Sequence, residues 1–188
     1  MIGYAICGSF CTHAKSLDTL ARLCAKYDVL PIISEKSASL DTRFGKARDL
    51  LSATEKLCGR KNVLDVVCAE PLGPKTPLEA LVICPCTGNT LAKIALGITD
   101  GAVTMAAKAH ARLSRPLLIA LASNDAMGAN LKNIATLSEK KNVFFVPMVQ
   151  DDPEGKPFSL VADFSLVDDA LTAAMQGKQL RPLFLEKK

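Results

Sequence analysis

The 188-residue sequence predicts one α/β domain in which a doubly wound parallel sheet carries helices on both faces. Short apolar runs without polar alternation, such as residues 81–85, are typical of strands buried on both faces. These runs alternate with segments whose apolar residues recur at helical spacing, and that order favours a parallel sheet. The apolar fraction of 49% fits a single domain over residues 1–188 with a full core.

The first half of the chain is expected to form the first three strands of the sheet. Pro31 lies inside a predicted strand, and because proline has no N–H it favours a sheet edge or a bulge there. Residues 35–40 read as a loop, and Gly59 as the end of a helix. Strands are predicted over residues 2–7, 29–34 and 63–68, and helices over residues 12–26 and 42–58.

The second half completes the sheet. A proline-rich loop over residues 69–77 precedes the core strand, and a tail over residues 177–188 is apolar enough to contact a neighbouring subunit. Strands are predicted over residues 78–85, 117–122 and 143–149, and helices over residues 88–97, 102–113, 126–141 and 165–176.

The composition argues against several classes of function. No run approaches the ~18 apolar residues of a membrane span. The first residues lack the basic region of a signal peptide, so a cytoplasmic protein is expected. Seven cysteines at irregular spacing fit reduced thiols. A net charge of +4 spread along the chain, with two tyrosines and no tryptophan, gives little support for nucleic-acid binding.

Small polar residues follow four of the predicted strands. Gly8 and Ser9 follow the first, Ser34 the second, residues 87–90 the core strand, and residues 123–124 the next. In a doubly wound sheet, ligands bind outside the carboxyl ends of the strands, where the first amides of the following helices are unpaired. A ligand site is therefore expected at this edge, although each residue alone is also a common cap or turn residue. No dinucleotide fingerprint or P-loop is present.

Residues 85–90, Pro-Cys-Thr-Gly-Asn-Thr, resemble the Pro-Ala-Ser-Ala-Asn-Thr signature of the flavin-containing cysteine decarboxylase family, which is related to the flavin prenyltransferases. The resemblance implies a Rossmann or flavodoxin-like fold, bound FMN and a homo-oligomer, either a trimer or a dodecamer. The implied FMN-binding residues are Gly8, Ser9, Phe10, Ser34, Thr87, Asn89, Thr90, Ser123 and Asn124.

The sequence departs from that family where decarboxylation is concerned. Counted back from the motif proline, the position of the family's catalytic histidine is taken by Pro71, and the chain's histidines, His13 and His110, lie elsewhere. A second family motif, at residues 121–127, has lost its proline and first methionine. Cysteine decarboxylation by this chain is therefore not expected, and no catalytic residue is assigned.

One branch of the family fits better. Residues 8–12, 42–45, 69–75, 106–109, 123–126 and 150–153 are similar to the small subunits of two-subunit oxidoreductases that form pyridine-2,6-dicarboxylate in sporulating bacteria. The resemblance implies oxidation of a dihydropyridine dicarboxylate, with NAD(P) on a companion Rossmann protein. Two alternatives remain open: an FMN-dependent decarboxylase or prenyltransferase that works alone, and a scaffold subunit without catalysis.

Such a substrate is a small planar dianion, so its site needs cations. Arg43 and Lys75 lie in segments peculiar to this branch, and Lys108 is a third candidate. Arginine binds a carboxylate through two parallel hydrogen bonds, which suits Arg43 to this task. The alternative for each is a solvated surface side chain.

The cysteines raise the question of a metal or redox site. Cys7, Cys11, Cys84 and Cys86 all lie near the ends of strands and could converge with His13 on zinc or an iron–sulfur cluster. The paired Cys-x-x-Cys spacing of structural zinc is missing, and cysteine is a common buried residue. The sequence therefore predicts no metal and leaves a redox role for this group open.

Overall fold

The computed structural model describes residues 1–73 and 75–186. In this part of the chain the strands are β1 (Ile2–Ile6), β2 (Val29–Ile33), β3 (Leu81–Cys86), β4 (Leu117–Ser123), β5 (Val143–Phe145), β6 (Met148–Val149), β7 (Leu160–Ala162) and β8 (Phe184–Leu185). The helices are α1 (His13–Cys24), α2 (Glu35–Ser39), α3 (Ala47–Cys58), α4 (Val66–Ala69), α5 (Gly88–Leu96), α6 (Ala102–Ala111), α7 (Leu131–Ser138) and α8 (Val167–Met175).

The described strands form one mixed sheet in the order β2-β1-β3-β4-β7-β6-β8, with β5 also paired to β4. Strands β1 to β5 are parallel, which confirms the predicted class of fold. Strand β7 runs antiparallel to β4 and β6. It was not predicted, because three residues after a polar turn give too short a pattern to recognise.

The side chains of each central strand alternate between two apolar cores, one on each face of the sheet. Tyr4 and Ile6 of β1 pack with residues of α1, α3 and α8 on one face. Ala5 and Cys7 point to the opposite face, where residues of α5, α6 and α7 cover them. Helices on both faces of the sheet were predicted, and the structure confirms them.

Two short helices, α2 and α4, occupy segments that the sequence predicts as a loop and as a strand. The side chain of Ser34 caps α2 by accepting a bond from the Ser37 amide, so part of the predicted loop over residues 35–40 is helical. The strand predicted over residues 63–68 was wrong: only Val63 forms a bridge, to Ile32. Asp65 then caps α4 by accepting a bond from the Cys68 amide, and that cap turns the chain into a helix.

Proline explains two further features of the sheet. Pro31 lies in the edge strand β2, with its carbonyl oxygen accepting a bond from Val63 N on the outer side, at 2.9 Å. The missing N–H therefore faces away from β1, and the predicted edge position is confirmed. The strand predicted over residues 143–149 is broken into β5 and β6 at residues 146–147, because Pro147 cannot donate a ladder bond.

The C-terminal tail folds back onto its own domain. Strand β8 pairs with β6, and Leu183 packs against the core beneath α5 and α6. The amide side chain of Gln179 bonds both backbone groups of Phe145, accepting from N at 2.9 Å and donating to O at 2.7 Å. The tail therefore completes the sheet of this chain, and its contact with a neighbouring subunit stays a prediction.

Candidate functional site

A cleft of about 420 Å³ opens at the carboxyl ends of β1, β2 and β3. Its position matches the switch-point edge where the sequence predicts a ligand. Five of the nine predicted FMN-binding residues line this cleft: Gly8, Ser34, Thr87, Asn89 and Thr90. They come from three separate strand ends, so the parallel topology of the sheet is what brings them together.

The N-terminus of α5 forms the floor of the cleft. Thr87 caps this helix: its Oγ1 accepts a bond from Thr90 N at 3.2 Å and lies 3.1 Å from Thr90 Oγ1. The amides of Gly88 and Asn89 are in the first turn and have no carbonyl within the helix to bond. Free amides and the positive end of the helix dipole make this floor suited to an anion.

Gly88 fixes how closely α5 approaches the end of β4. A Cβ at this position would lie 2.6 Å from both Ser123 Oγ and Asn130 Nδ2. These two groups bond Asp125 Oδ1, Ser123 Oγ at 2.6 Å and Asn130 Nδ2 at 2.9 Å. Ser123 therefore supports the helix from behind and does not line the cleft, and Asn124 beside it is exposed.

The outer rim of the cleft is charged. Glu35 Oε1 accepts a bond of 2.7 Å from the Ala102 amide, which caps α6 and joins it to α2. Lys93 forms an ion pair of 2.6 Å with Asp100 across the α5–α6 loop. Sequence reasoning missed Glu35 and Lys93, because their roles depend on partners that only the folded chain brings near.

Phe10 belongs to a neighbouring pocket, the Phe10 pocket, which lies between α1, α2 and α3 and has a volume of about 310 Å³. Its ring lies 5.3 Å from the His13 ring and is the nearest neighbour of a Cβ built on Gly8, at 3.5 Å. The pocket therefore adjoins the cleft through Gly8 and Phe10. Ser9 occupies the turn between them, where its carbonyl oxygen accepts a bond from Thr12 Oγ1 at 2.8 Å.

The three predicted substrate cations lie on separate parts of the surface. Arg43 is in the turn over residues 42–45 beside the Phe10 pocket, and its Cζ stacks 4.8 Å from the centre of the Phe44 ring. Lys75 is exposed in the loop before β3. Lys108 lines a different pocket, on the outer face of α6. The structure therefore places only Arg43 next to the predicted site, and Pro74 of the Lys75 loop lies outside the described residues.

The thiols near the strand ends are buried and protonated. Burial raises the pKa of Cys7 to about 11 and that of Cys84 to about 12, and raises the pKa of Cys86 as well. Cys11 is exposed. His13 Nε2 lies 2.9 Å from the Cys7 carbonyl oxygen, and burial lowers the pKa of His13.

Metal-ligating side chains do not cluster. Across residues 1–73 and 75–186, no group of three His, Cys, Asp or Glu side chains could hold a metal ion. His110, the other histidine, is buried at the far end of α6 and lies 2.8 Å from the Pro116 carbonyl oxygen through Nε2. None of the helices in these residues is both long enough and apolar enough to span a bilayer.

The fold defines an α/β protein of the flavodoxin-like class, with a cleft at the carboxyl edge of its sheet. Sequence comparison agrees with this class. The chain belongs to the Flavoprotein family, whose model matches residues 1–177.

Three individual proteins are similar to this chain along most of its length. The chain is 39% identical to the B subunit of dipicolinate synthase from Bacillus subtilis (strain 168), over 98% of its own length and 93% of that protein. The crystal structure of the corresponding dipicolinate synthase subunit from Bacillus halodurans superposes with a TM-score of 0.91 at 37% identity, covering 100% of this chain and 96% of the other. The FMN-dependent cysteine decarboxylase SpaF has a TM-score of 0.69 at 23% identity, over 94% and 95% of the two chains, and shares the fold.

Proposed function

We propose that this chain is the FMN-binding B subunit of a dipicolinate synthase. It would act with the NAD(P)-dependent A subunit of that enzyme to oxidise dihydrodipicolinate to dipicolinate during sporulation. The observation that carries the proposal is the convergence of Gly8, Ser34, Thr87, Asn89 and Thr90 on one anion cleft. The similarity to the B subunits of two dipicolinate synthases along almost the whole chain supports the same function.

The groups in the cleft suit the phosphate end of FMN. The Ser34 and Thr90 hydroxyls and the first amides of α5 can donate to phosphate oxygens, and Lys36 adds a positive charge to the same cleft. Gly8 places no side chain in the cleft, where a Cβ would lie in contact with the Phe10 ring at 3.5 Å. Bound FMN would supply a two-electron acceptor, and the residues of this chain would hold it and exclude water from its surroundings.

The substrate would lie in the Phe10 pocket, beside the cleft. Phe10 and Phe44 offer apolar surfaces for a planar ring. The Arg43 guanidinium, already stacked on Phe44, is placed to bind one carboxylate bidentately. Lys75 and Lys108 lie away from this pocket, so we assign the carboxylate contact to Arg43 first and test the two lysines beside it.

A decarboxylase that works alone is less consistent with the site. Neither histidine lines the cleft: His13 faces the Phe10 pocket and His110 is buried on α6. The position that carries the histidine in cysteine decarboxylases is Pro71. The scaffold alternative predicts a cleft that retains no flavin, and this outcome is open to direct measurement.

The first experiment is a visible spectrum of the purified protein with FMN, recorded before and after gel filtration. We expect retained flavin bands, and their loss in Ser34→Ala, which removes a cleft hydroxyl. Ser39→Ala is the matched control, because Ser39 is exposed on the same helix and donates to the Glu35 carbonyl oxygen. A wild-type protein that retains no FMN would contradict the flavin role and favour the scaffold.

Activity is measured by mixing the chain with the A subunit of a dipicolinate synthase, NAD(P)⁺ and dihydrodipicolinate and following dipicolinate formation. We expect Arg43→Ala to raise KM about tenfold or more, because one charge-assisted contact contributes about 1.5–3 kcal/mol. Arg48→Ala is the control, since Arg48 is exposed on α3 and pairs with Asp49.

Unchanged kinetics in Arg43→Ala would remove the substrate assignment, and Lys75→Ala and Lys108→Ala would then be compared in the same assay. Product formation by this chain without its companion would favour an enzyme that works alone.

A further inference from the structure

A third cavity lies on the outer face of α6, beyond the cleft and the Phe10 pocket, and shares Thr104 with the cleft. We name it the α6 pocket; it has a volume of about 360 Å³, within the range of small-molecule sites. Its inner surface is apolar and comes from α5, α6, α7 and the first residues of β4 and β5. The apolar residues that form it are Ile94, Ile98, Ala107, Ala111, Leu117, Leu137 and Val143.

The polar part of the α6 pocket carries one sign of charge. Lys108 and Arg112 lie one helical turn apart on α6, and Lys140 follows α7. No acidic side chain of the described residues lines the pocket. Within residues 1–73 and 75–186, none of the three cations forms an ion pair, whereas Lys93 near the cleft is paired with Asp100.

Lys108, Arg112 and Lys140 are exposed and place three positive charges at the rim of an apolar floor, where their combined field attracts an anion. Cations also stabilise the C-terminal ends of helices, and Arg112 is the C-terminal cap of α6. That role explains a charge at the end of the helix, but it does not explain an apolar cavity between the charges. The combination is complementary to a molecule with an apolar body and a carboxylate.

We propose that the α6 pocket binds a small carboxylic acid with a compact apolar body, its carboxylate held by Lys108, Arg112 and Lys140. The apolar body lies against Ile94 and Leu137. The inference does not depend on the proposed function, because none of the five residues assigned to this ligand lines the cleft.

The test is titration of the full-length protein with benzoate, followed by ¹H–¹⁵N NMR. We expect saturable shifts at the amides around Ala107 and Leu137. Benzyl alcohol, which lacks the charge, and inorganic phosphate, which lacks the apolar body, should each bind at least about tenfold more weakly, because each loses one of the two interactions. Equal binding of phosphate would overturn the proposal, because it would show a site for charge alone.

Two variants locate the site. Lys108→Gln combined with Arg112→Gln should weaken benzoate binding about tenfold or more by removing two cations. Ala111→Leu should weaken it by filling the rim of the pocket, with all charges kept. Lys141→Gln, an exposed neighbour outside the pocket, should change nothing.

The results of these experiments distinguish a small carboxylic acid from a second copy of the chain as the occupant of the α6 pocket. Benzoate shifts that persist in the double variant and in Ala111→Leu would overturn the proposal. A protein that binds no benzoate, but whose oligomer dissociates in the double variant, would also overturn it and show that a second copy covers this face. The oligomeric state of each variant is measured by light scattering during gel filtration.

Discussion

At the scale of single residues, Gly88 determines whether the cleft can form. The first turn of α5 lies at the cleft, and at Gly88 this helix approaches Ser123 and Asn130 so closely that a Cβ would force their side chains to shift. Thr87 then closes the first turn of the helix. The side chains around this turn therefore set the position of the backbone that borders the cleft.

Replacing Gly88 with alanine should destabilise the protein by about 1–3 kcal/mol, because the new Cβ overpacks a rigid polar network. Gly128→Ala is the control: Gly128 lies in the β4–α7 segment against which Gly88 packs, but the nearest atom to its Cβ would be 3.6 Å away. The free energy of unfolding in urea measures both variants. Equal stabilities would show that α5 is free to shift.

The buried thiol of Cys7 makes stability depend on alkaline pH. Burial raises its pKa from 9.0 to about 11, so between these values the folded chain keeps a proton that the unfolded chain has lost. The stabilisation is complete below pH 9.0 and declines as pH rises towards the folded value of about 11.

In Cys7→Ala the loss of stability with rising pH should be shallower than in wild type by up to about 1.4 kcal/mol per pH unit. Unfolding in urea at a series of alkaline pH values measures the two slopes. Cys11→Ala serves as the control, since Cys11 is exposed. Parallel slopes for Cys7→Ala and wild type would contradict the raised pKa.

At the scale of elements, α2 connects the Ser34 side of the cleft to the N-terminus of α6. This helix has five residues, starts at the Ser34 cap and presents Glu35 to the N-terminus of α6. A helix of this length is marginal by itself, so its contacts with neighbouring elements hold it in place. The link between Glu35 and Ala102 therefore fixes both the cleft rim and the start of α6.

Glu35→Ala should lower the Tm by about 2–4 °C, because loss of a helix cap costs about 1 kcal/mol in a domain of this size. Glu139→Ala, an exposed residue at the end of α7, is expected to leave the Tm unchanged. Calorimetry measures the Tm of both variants and of the wild type. Identical Tm values would mean that water replaces the carboxylate without cost.

The strands and helices also show which parts of the fold could be predicted from the sequence. Strands such as β3 and β4 were predictable because a continuous apolar run bounded by polar residues has few other structures. The cleft followed from topology, since parallel strands place Ser34 and Thr87 at one edge. The α4 helix was missed because the Asp65 cap outweighs the strand-like composition of residues 66–68, and β7 was missed because its three residues give too short a pattern.

At the scale of the whole molecule, the sheet has few free edges in its described part. Val63 bridges to the outer side of β2, β8 covers β6, and the Gln179 amide occupies the backbone groups of Phe145 in β5. Unpaired strand edges promote association between chains, and proteins cover them in different ways. Here a single side chain takes the place of a neighbouring strand.

Gln179→Leu should lower the Tm and increase self-association, because it leaves the Phe145 amide and carbonyl unpaired. Gln176→Leu is the matched control, as Gln176 is exposed at the end of α8. Light scattering at increasing protein concentration and calorimetry give the two measurements. Matching behaviour of both variants would show that water satisfies this edge.

Thr104 lines both the cleft and the α6 pocket, and its hydroxyl is fixed by bonds of 3.1 Å with the amide and carbonyl of Gly101. A ligand in one cavity that shifts Thr104 would change the affinity of the other cavity for its own ligand. Whatever factor an occupant of the α6 pocket imposes on FMN affinity, FMN must impose on the affinity of that occupant in return. Thr104, between the two cavities, is thus a place where a small molecule could alter the occupancy of the proposed FMN without contacting it.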